Sequence, residues 1–248
     1  MSYFSLTLPS IKETFLTKSL NVQDIIDINF LLSNKDIKGL DLFVEQKFLN
    51  YTNKDNKLLA FDKFAYLFSQ RIFSVGEKIE LKISDNKTKT VKLIEIYNDI
   101  IEKDFILSKE IKFNSERLTL QYPYNFSDEE RIYAKDNENT LIPVSYLPVN
   151  IFKEATTFFS YNNDLIKQDS FKSTYNTNFS LNNEQFIQIL GFIFNENVNS
   201  IYENFFTLCH SYNYDIGVMK EFTLRELYLH ILVVNNYVKK QKREKKQI

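Results

Sequence analysis

The sequence predicts an α+β fold, in which N-terminal helices and a small antiparallel β-sheet are followed by a mainly helical C-terminal half. Three observations predict this class. Apolar residues recur at helical spacing between residues 21 and 73. Polar and apolar residues alternate in four runs between residues 77 and 122, which is typical of strands with one buried face. Helical spacing then returns between residues 151 and 246, so helices are expected on both sides of the strands.

The first region predicts a short hairpin followed by three helices. Its opening residues alternate polar and apolar up to Pro9, where a strand would stop. Asn21 precedes apolar residues at helical spacing and has an acid, Asp24, three positions later, so a helix is expected to begin there. The elements expected in this region are strands at 5–8 and 14–17, a helix behind Asn21 that includes 25–32, and helices at 40–49 and 58–73.

The pattern changes after Ser74, Val75 and Gly76, which we expect to form the turn between a helix and a hairpin. Gly76 is expected to have a positive φ there, because glycine adopts that conformation at no steric cost. Alternating residues on both sides of a polar turn predict the hairpin itself. The strands expected in this region are 77–83, 90–96, 107–113 and 117–122.

Residues 123–150 contain three of the four prolines and an acidic run at 128–130, which predicts an irregular connection. Beyond it, Ser200 with Glu203 and Thr223 with Glu226 both match the capping box that begins many helices. Helices are expected near 151–160, 181–195, 201–211 and 223–246. The predicted organisation is a first region at 1–123, an irregular connection at 124–150 and a helical region with a basic tail at 151–248.

The composition excludes several classes of protein. The 31 basic and 32 acidic side chains nearly balance, and 44% of the residues are hydrophobic, which is typical of an ordinary globular chain. The single cysteine allows neither an internal disulfide nor a cysteine-based zinc cluster, and it favours a reducing compartment. Only 4 glycines leave little for a phosphate-binding loop. Neither a signal peptide nor a membrane span is expected from the pattern.

Candidate catalytic groups are few. Cys209 and His230 lie on successive predicted helices, where a thiolate and an imidazole could meet, but a lone cysteine is more often a packing residue. Core packing is therefore the favoured interpretation of Cys209. The acids at 128–130 are expected to be solvated. No catalytic residue, metal site or cofactor is predicted.

Two features of the C-terminal half suggest contacts with a partner. Residues 239–246 carry six positive charges and one negative, which favours a solvated helix end and leaves open a docking tail for an acidic partner or a contact with nucleic acid. The helices between 181 and 211 are unusually aromatic, so they are either central in a bundle or partly a protein-binding surface. The candidate partner-binding residues are Phe192, Phe194, Tyr202, Phe205, Phe206, Lys239, Lys240, Lys242 and Arg243.

The order of motifs resembles a known family. The opening Leu-Thr-Leu-Pro-Ser at 6–10, the segment 61–77 and the closing Leu-Thr-Leu-Gln-Tyr-Pro at 118–123 together are similar to the baseplate hub assembly proteins of T4-like contractile-tailed bacteriophages. Segment 61–77 is the most specific part, because a helix that ends in Arg-x-x-Ser-Val-Gly-Glu before a hairpin is uncommon. The resemblance covers about residues 5–123. The related proteins carry cysteines in or beside the hairpin, and residues 77–96 have none, so metal binding is not carried over.

The resemblance implies a role in binding and assembly, without catalysis. We expect a noncatalytic protein that acts in the host cell cytoplasm, binds phage baseplate hub or spike proteins during virion morphogenesis, and then leaves. No small-molecule substrate and no membrane partner are expected, and nucleic acid is disfavoured by the near-neutral total charge. Three alternatives stay open: a structural hub subunit retained in the virion, a nucleic-acid-binding phage protein that uses the basic tail, and an enzyme that uses Cys209.

Overall fold

A computed structural model describes residues 3–84, 87–113, 116–164 and 181–244 of the chain and confirms the α+β class. In chain order its elements are β1 (Tyr3–Thr7), β2 (Thr14–Lys18), α1 (Val22–Ser33), α2 (Ile37–Thr52), α3 (Ala60–Ser74), β3 (Lys78–Ser84), β4 (Lys87–Lys92), α4 (Leu93–Glu102), β5 (Ser108–Phe113), β6 (Glu116–Gln121), β7 (Tyr133–Lys135), β8 (Leu141–Pro143), a 3-10 turn (Val144–Tyr146), α5 (Val149–Asp164), α6 (Asn183–Ile193), α7 (Val198–Tyr212), α8 (Ile216–Lys220) and α9 (Leu224–Glu244).

The strands form three antiparallel sheets. The hairpin β1–β2 pairs Leu6 with Phe15, and both side chains are buried, as the alternation predicts. A second hairpin, β3–β4, pairs Ile79 with Val91. The other four strands form one sheet in the order β5-β6-β7-β8, each paired with its neighbour along the chain. Short connections between consecutive strands explain this simple order.

The first helix begins as predicted. The Oδ1 atom of Asn21 accepts a hydrogen bond from the backbone N–H of Asp24 at 2.8 Å, and an Oδ2 atom of Asp24 accepts from the N–H of Asn21 at 3.0 Å. This reciprocal pair is a capping box, which satisfies two backbone donors that a helix start would leave unpaired. The helices expected at 40–49 and 58–73 are also present, as α2 and α3.

Helix α3 is the centre of the molecule. It is buried on nearly every side and contacts β1, α2, α4 and α6. The ring of Phe64 stacks on that of Phe186 in α6, with centroids 4.6 Å apart, and Phe61 approaches the same ring at 5.8 Å. The backbone N–H of Val22 also donates to the carbonyl of Phe222 at 2.7 Å. The buried residues of the N-terminal and C-terminal regions therefore belong to one hydrophobic core.

The predicted strand 90–96 is wrong in its second half, because the strand ends at Lys92 and α4 begins at Leu93. The buried residues of α4 follow helical spacing, and they are Leu93, Ile96, Tyr97 and Ile100. The Tyr97 Oη atom donates to the carbonyl of Thr7 at 2.8 Å and accepts from the N–H of Thr7 at 3.1 Å. This face packs on α3, and Tyr97 joins it to β1; these tertiary contacts stabilise the helical conformation. The local alternation of polar and apolar residues did not predict it.

Residues 124–150 are more regular than predicted. Strands β7 and β8 extend the sheet from β6, and the turn between them is closed by Asp136, whose Oδ1 atom accepts from the N–H groups of Glu138 and Thr140 at 2.9 and 2.8 Å. Pro143 ends β8, which is the last strand of the sheet in its order. An edge strand tolerates proline because its outer side needs no ladder donor.

One of the two predicted capping boxes is wrong. Helix α7 begins at Val198, and Asn197 caps it by accepting from the N–H of Ser200 at 3.2 Å, so Ser200 lies inside the helix. The other is confirmed, since the N–H of Thr223 donates to Glu226 at 2.7 Å and the N–H of Glu226 donates to Thr223 at 3.1 Å. The short helix α8 between them was not predicted.

The turn after α3 has the predicted form. The helix ends at Ser74, which is buried, and Val75 is half-buried. Gly76 has a φ of 150°, a conformation that side-chain-bearing residues rarely adopt. The prediction for Gly76 is therefore confirmed, and this turn directs the chain from the core helix into β3.

Candidate functional site

Helix α9 packs on the body of the protein through one face. Leu224 and Leu227 are fully buried, while Ile231 and Val234 are half-buried against the core. Their spacing places all four on one side of an α-helix. Helix α1 is among the elements that α9 contacts. The first three turns of α9 are therefore fixed to the fold by the residues an amphipathic helix ordinarily uses.

The other side of α9 is also apolar, and it is exposed. We call the residues Leu229, Leu232, Val233 and Tyr237 the outer face; their exposed fractions are 54%, 58%, 65% and 58%. A surface helix normally presents polar residues on the side turned away from the core. Single exposed apolar residues are common on proteins, but a contiguous set on one helix face is typical of an interaction surface.

Positive charges lie at both ends of the outer face. Arg225 is exposed in the first turn of α9, and Lys239 and Lys240 are exposed near its far end. Arg225 and Lys239 are 14 residues apart, which corresponds to about 21 Å along a helix. The side chains of Lys242 and Arg243 lie outside the described residues. The arrangement is an apolar patch between two cationic ends.

The aromatic candidates of α6 and α7 differ in their exposure. Phe194 and Phe205 are each only 1% exposed, so their prediction as partner-binding residues is wrong and both belong to the core. Phe192 is half-buried against that core. Tyr202 and Phe206 are exposed on α7, as a binding surface requires. Residues 186, 190, 193 and 194 form one buried stripe, while Glu184, Gln188 and Gly191 are exposed, so α6 packs on the core through one side and is not the central helix.

A buried charged group at the end of α3, Arg71, has a structural role. Arg71 of α3 is buried; its Nε atom donates to the carbonyl of Ile193 at 2.6 Å, its Nη1 atom donates to the carbonyl of Gly76 at 2.8 Å, and its Nη2 atom lies 3.3 Å from Glu196. Burial lowers the pKa of Arg71 and raises the pKa of Glu196, and the opposite charge of each partner counteracts these shifts. These contacts hold elements together.

A second buried cation, Lys63, has a similar structural role. Its Nζ atom donates to Asp41 at 3.2 Å, to Glu45 at 2.6 Å and to Asn125 at 2.9 Å. The other hydrogen bonds of Asp41 come from the backbone at Phe126 and from Ser127. This network ties α2 and α3 to the loop before β7, and its donors and acceptors are paired with one another.

Two of the cavities in the described surface share the wall formed by residues 129–131. One has a volume of about 430 Å³ and is mainly apolar, with Phe152 and Phe159 among its lining residues. The other has a volume of about 700 Å³ and lies beside the start of α6, with Lys35 and Glu184 at its rim. The described residues that line these two cavities include neither cysteine nor histidine.

Cys209 and both histidines contact neighbouring side chains. Cys209 is half-buried against the core. The ring of His230 stacks on Phe222 with centroids 4.8 Å apart, and its Nδ1 atom lies 3.1 Å from the Oη of Tyr214. The ring of His210 packs on Phe206 at 4.1 Å. In the described ranges, no three histidine, cysteine or acidic side chains converge as a metal site would require.

The residues that define the outer face were not among the predicted candidates. The candidates on α9 were the basic residues Lys239, Lys240, Lys242 and Arg243, whereas Leu229, Leu232, Val233 and Tyr237 contribute the exposed apolar area. A signal was available, because apolar residues in this segment occupy two helical stripes and a single packed face needs only one. Which stripe is covered depends on the rest of the fold.

Within the part of the chain that the structure describes, every helix is too short or too polar to cross a membrane. The comparisons with known proteins add no relative: no protein-family model, no curated protein and no solved structure matches this chain.

Proposed function

We propose that this protein is a noncatalytic assembly factor that binds phage baseplate hub or spike proteins in the host cell cytoplasm. The observation that carries the binding role is the exposed apolar outer face of α9 between its cationic ends. The link to the baseplate hub rests on the motifs at 6–10, 61–77 and 118–123. The two parts are separate, and the experiment below tests both.

The size of the outer face supports a reversible complex. Complete burial of a large aliphatic or aromatic side chain contributes about 1.5–3 kcal/mol, and four half-exposed ones would therefore contribute about 4–6 kcal/mol. Association has an entropic cost of comparable size, so the patch alone favours weak binding. A factor that holds a component and then leaves needs such a contact.

The rest of the protein supports a role without chemistry. The buried charged groups Arg71, Lys63, Asp41 and Asp62 are all engaged in contacts that fix helices and turns. Asp62, for example, accepts hydrogen bonds from the N–H groups of Ser10 and Leu59. Such groups stabilise a scaffold, and the scaffold presents α9.

The alternative is a structural hub subunit that stays in the virion, since the same surface could bind permanently. The test is an affinity capture of the tagged protein from cells infected with the phage that encodes it, compared by mass spectrometry with purified virions. Hub proteins in the capture, with this chain missing from virions, would support the assembly factor. The chain at fixed stoichiometry in virions would favour the structural subunit, and no hub protein in the capture would contradict the proposal.

A matched pair of variants relates the capture to the outer face. Leu232→Asp places a charge in the centre of the face, and we expect it to remove the captured hub proteins. Tyr146→Asp changes an even more exposed apolar residue, in the turn after β8, and we expect it to retain them. Equal capture by both variants would show that hub binding uses another surface.

A further inference from the structure

The outer face of α9 has the residue spacing of a helix–helix seam. Leu229, Leu232 and Val233 are followed at the same side of the helix by Asn236 and Lys240, at positions i+7 and i+11 from Leu229. Asn236 and Lys240 are exposed too. An apolar stripe of about one and a half turns followed by one asparagine resembles the pattern with which helices recognise a second helix in a defined register.

The exposed charges at the ends of this seam are cations, since Glu226 in the first turn is half-buried and accepts a hydrogen bond from the N–H of Thr223. Arg225 precedes Leu229 by four residues and lies on the same side of α9, and Lys239 follows Leu232 by seven. Cations flank the apolar stripe in both directions. Charges at the rim of an apolar contact select the partner by complementarity, since like charges placed opposite each other oppose binding.

This charge pattern disfavours a second copy of the chain. In a parallel pair of α9 helices, each Lys239 would face the Lys239 of the other copy. In an antiparallel pair centred on Leu232, Lys239 would face Arg225, because both are seven residues from the centre. Either orientation brings cations together at the ends of the seam.

We propose, on the basis of the proposed function, that the outer face of α9 binds an amphipathic helix of a partner protein whose apolar stripe has acidic residues at both ends. The acids of that helix pair with Arg225 at one end and with Lys239 and Lys240 at the other, at a spacing of about 21 Å along its axis. Its apolar residues cover Leu229, Leu232 and Val233. This is helix-to-helix recognition, with hydrophobic burial for affinity and charge for orientation.

The test uses the full chain and synthetic helical peptides of 21 residues, the length of α9. One peptide has a leucine stripe with glutamates at both ends, and its counterpart has lysines in place of the glutamates. Binding is measured by fluorescence anisotropy at low and high salt. We expect the acidic peptide to bind about tenfold tighter than the basic one at low salt, with a smaller ratio at high salt. Equal or tighter binding of the basic peptide would overturn the proposal.

Three variants identify the surface. Leu232→Asp is expected to weaken the binding of the acidic peptide by about tenfold or more. The double variant R225E with K240E is expected to reverse the preference, so that the basic peptide binds more tightly. Lys38→Glu changes an exposed lysine of α2 and is expected to alter neither affinity. Urea unfolding confirms that each variant is folded, and Leu232→Ala serves as the milder change if Leu232→Asp is not.

Other outcomes are equally decisive. Sedimentation experiments could find that the wild-type chain is a dimer and that Leu232→Asp dissociates it. This result would show that a second copy covers the outer face, and it would overturn the proposal. Hub proteins captured from cells through the outer face, without any preference for the acidic peptide, would overturn the acidic-helix partner and leave the proposed function standing. A preference for the acidic peptide without captured hub proteins would support this inference and contradict the hub role.

Discussion

The Nε atom of Arg71 donates to the backbone carbonyl of Ile193 at 2.6 Å, and this bond joins the last turn of α3 to the end of α6. The same guanidinium donates to Gly76 in the following turn and pairs with Glu196 after α6. One buried side chain thus connects the N-terminal helices, the turn into β3 and the C-terminal helices. Its planar guanidinium distributes its donors over three nitrogens, so it reaches acceptors in three separate places, whereas all the donors of a lysine are on one nitrogen.

Arg71→Ala is expected to lower the free energy of unfolding by about 3–5 kcal/mol. Two carbonyls and the carboxylate of Glu196 would lose their donor in a buried place. Urea unfolding measures the change. Lys92→Ala, which removes the exposed pair with Glu95, is the control and should have no measurable effect. In the double variant R71A with E196Q the two losses should be less than additive, and strict additivity would contradict the ion pair.

Two glycines offer a matched comparison, because a Cβ atom would meet no atom within 4 Å at either Gly76 or Gly191. Gly76→Ala is expected to destabilise by about 1–3 kcal/mol, since alanine is strained at its φ of 150°. Gly191→Ala lies in the interior of α6 and is expected to stabilise by about 0.5–1 kcal/mol. Thermal unfolding of both variants checks the opposite signs, and a shared sign would contradict the turn geometry.

The two sides of α9 should respond differently to truncation. Leu227→Ala removes a fully buried side chain and is expected to cost about 2–5 kcal/mol of stability. Leu232→Ala on the outer face should change stability by no more than about 0.5 kcal/mol. Chemical unfolding of the isolated chain measures both. A large loss for Leu232→Ala would mean that the outer face is covered in the free protein.

The raised pKa of Tyr97 predicts a loss of stability at alkaline pH. Burial raises its pKa from the ordinary 10.0 to about 12, and the bond to Thr7 counteracts part of this shift. The folded state therefore keeps the proton where the unfolded state loses it, so stability falls as the pH rises from the lower value through the higher one. Tyr97→Phe is expected to make this fall shallower, measured by urea unfolding at neutral and alkaline pH. Tyr3→Phe, at an exposed position, should keep the wild-type slope.

Most elements with local signals were predicted well, and the capping box at Ser200 is the exception. The helix start at Asn21 and the capping box at Thr223 need only residues three positions apart, and the hairpin β1–β2 needs only alternation and a short connection. The positive φ of Gly76 likewise follows from the residue type at a chain reversal. In each case the hydrogen bonds or backbone angles involve neighbours in sequence, so the sequence contains the physical cause.

Elements that depend on distant contacts were predicted poorly. Residues 90–96 alternate like a strand for much of their length, yet packing of Ile96 and Tyr97 against the core makes residues 93–96 helical. Strand β7 forms by pairing with the edge of β6, and β8 by pairing with β7. No pattern in the sequence of residues 124–150 predicts these pairings.

The candidate site likewise combines features that the sequence predicts with features that only the fold determines. Sequence alone determined that the C-terminal helices are rich in aromatic and aliphatic residues and end in lysines. Only the tertiary structure decided that Phe194 and Phe205 are core residues while Phe206 and the outer face of α9 are exposed. The physical reason is that apolar residues favour burial equally at all these positions, and the arrangement of the other helices decides which of them find a partner surface within the chain.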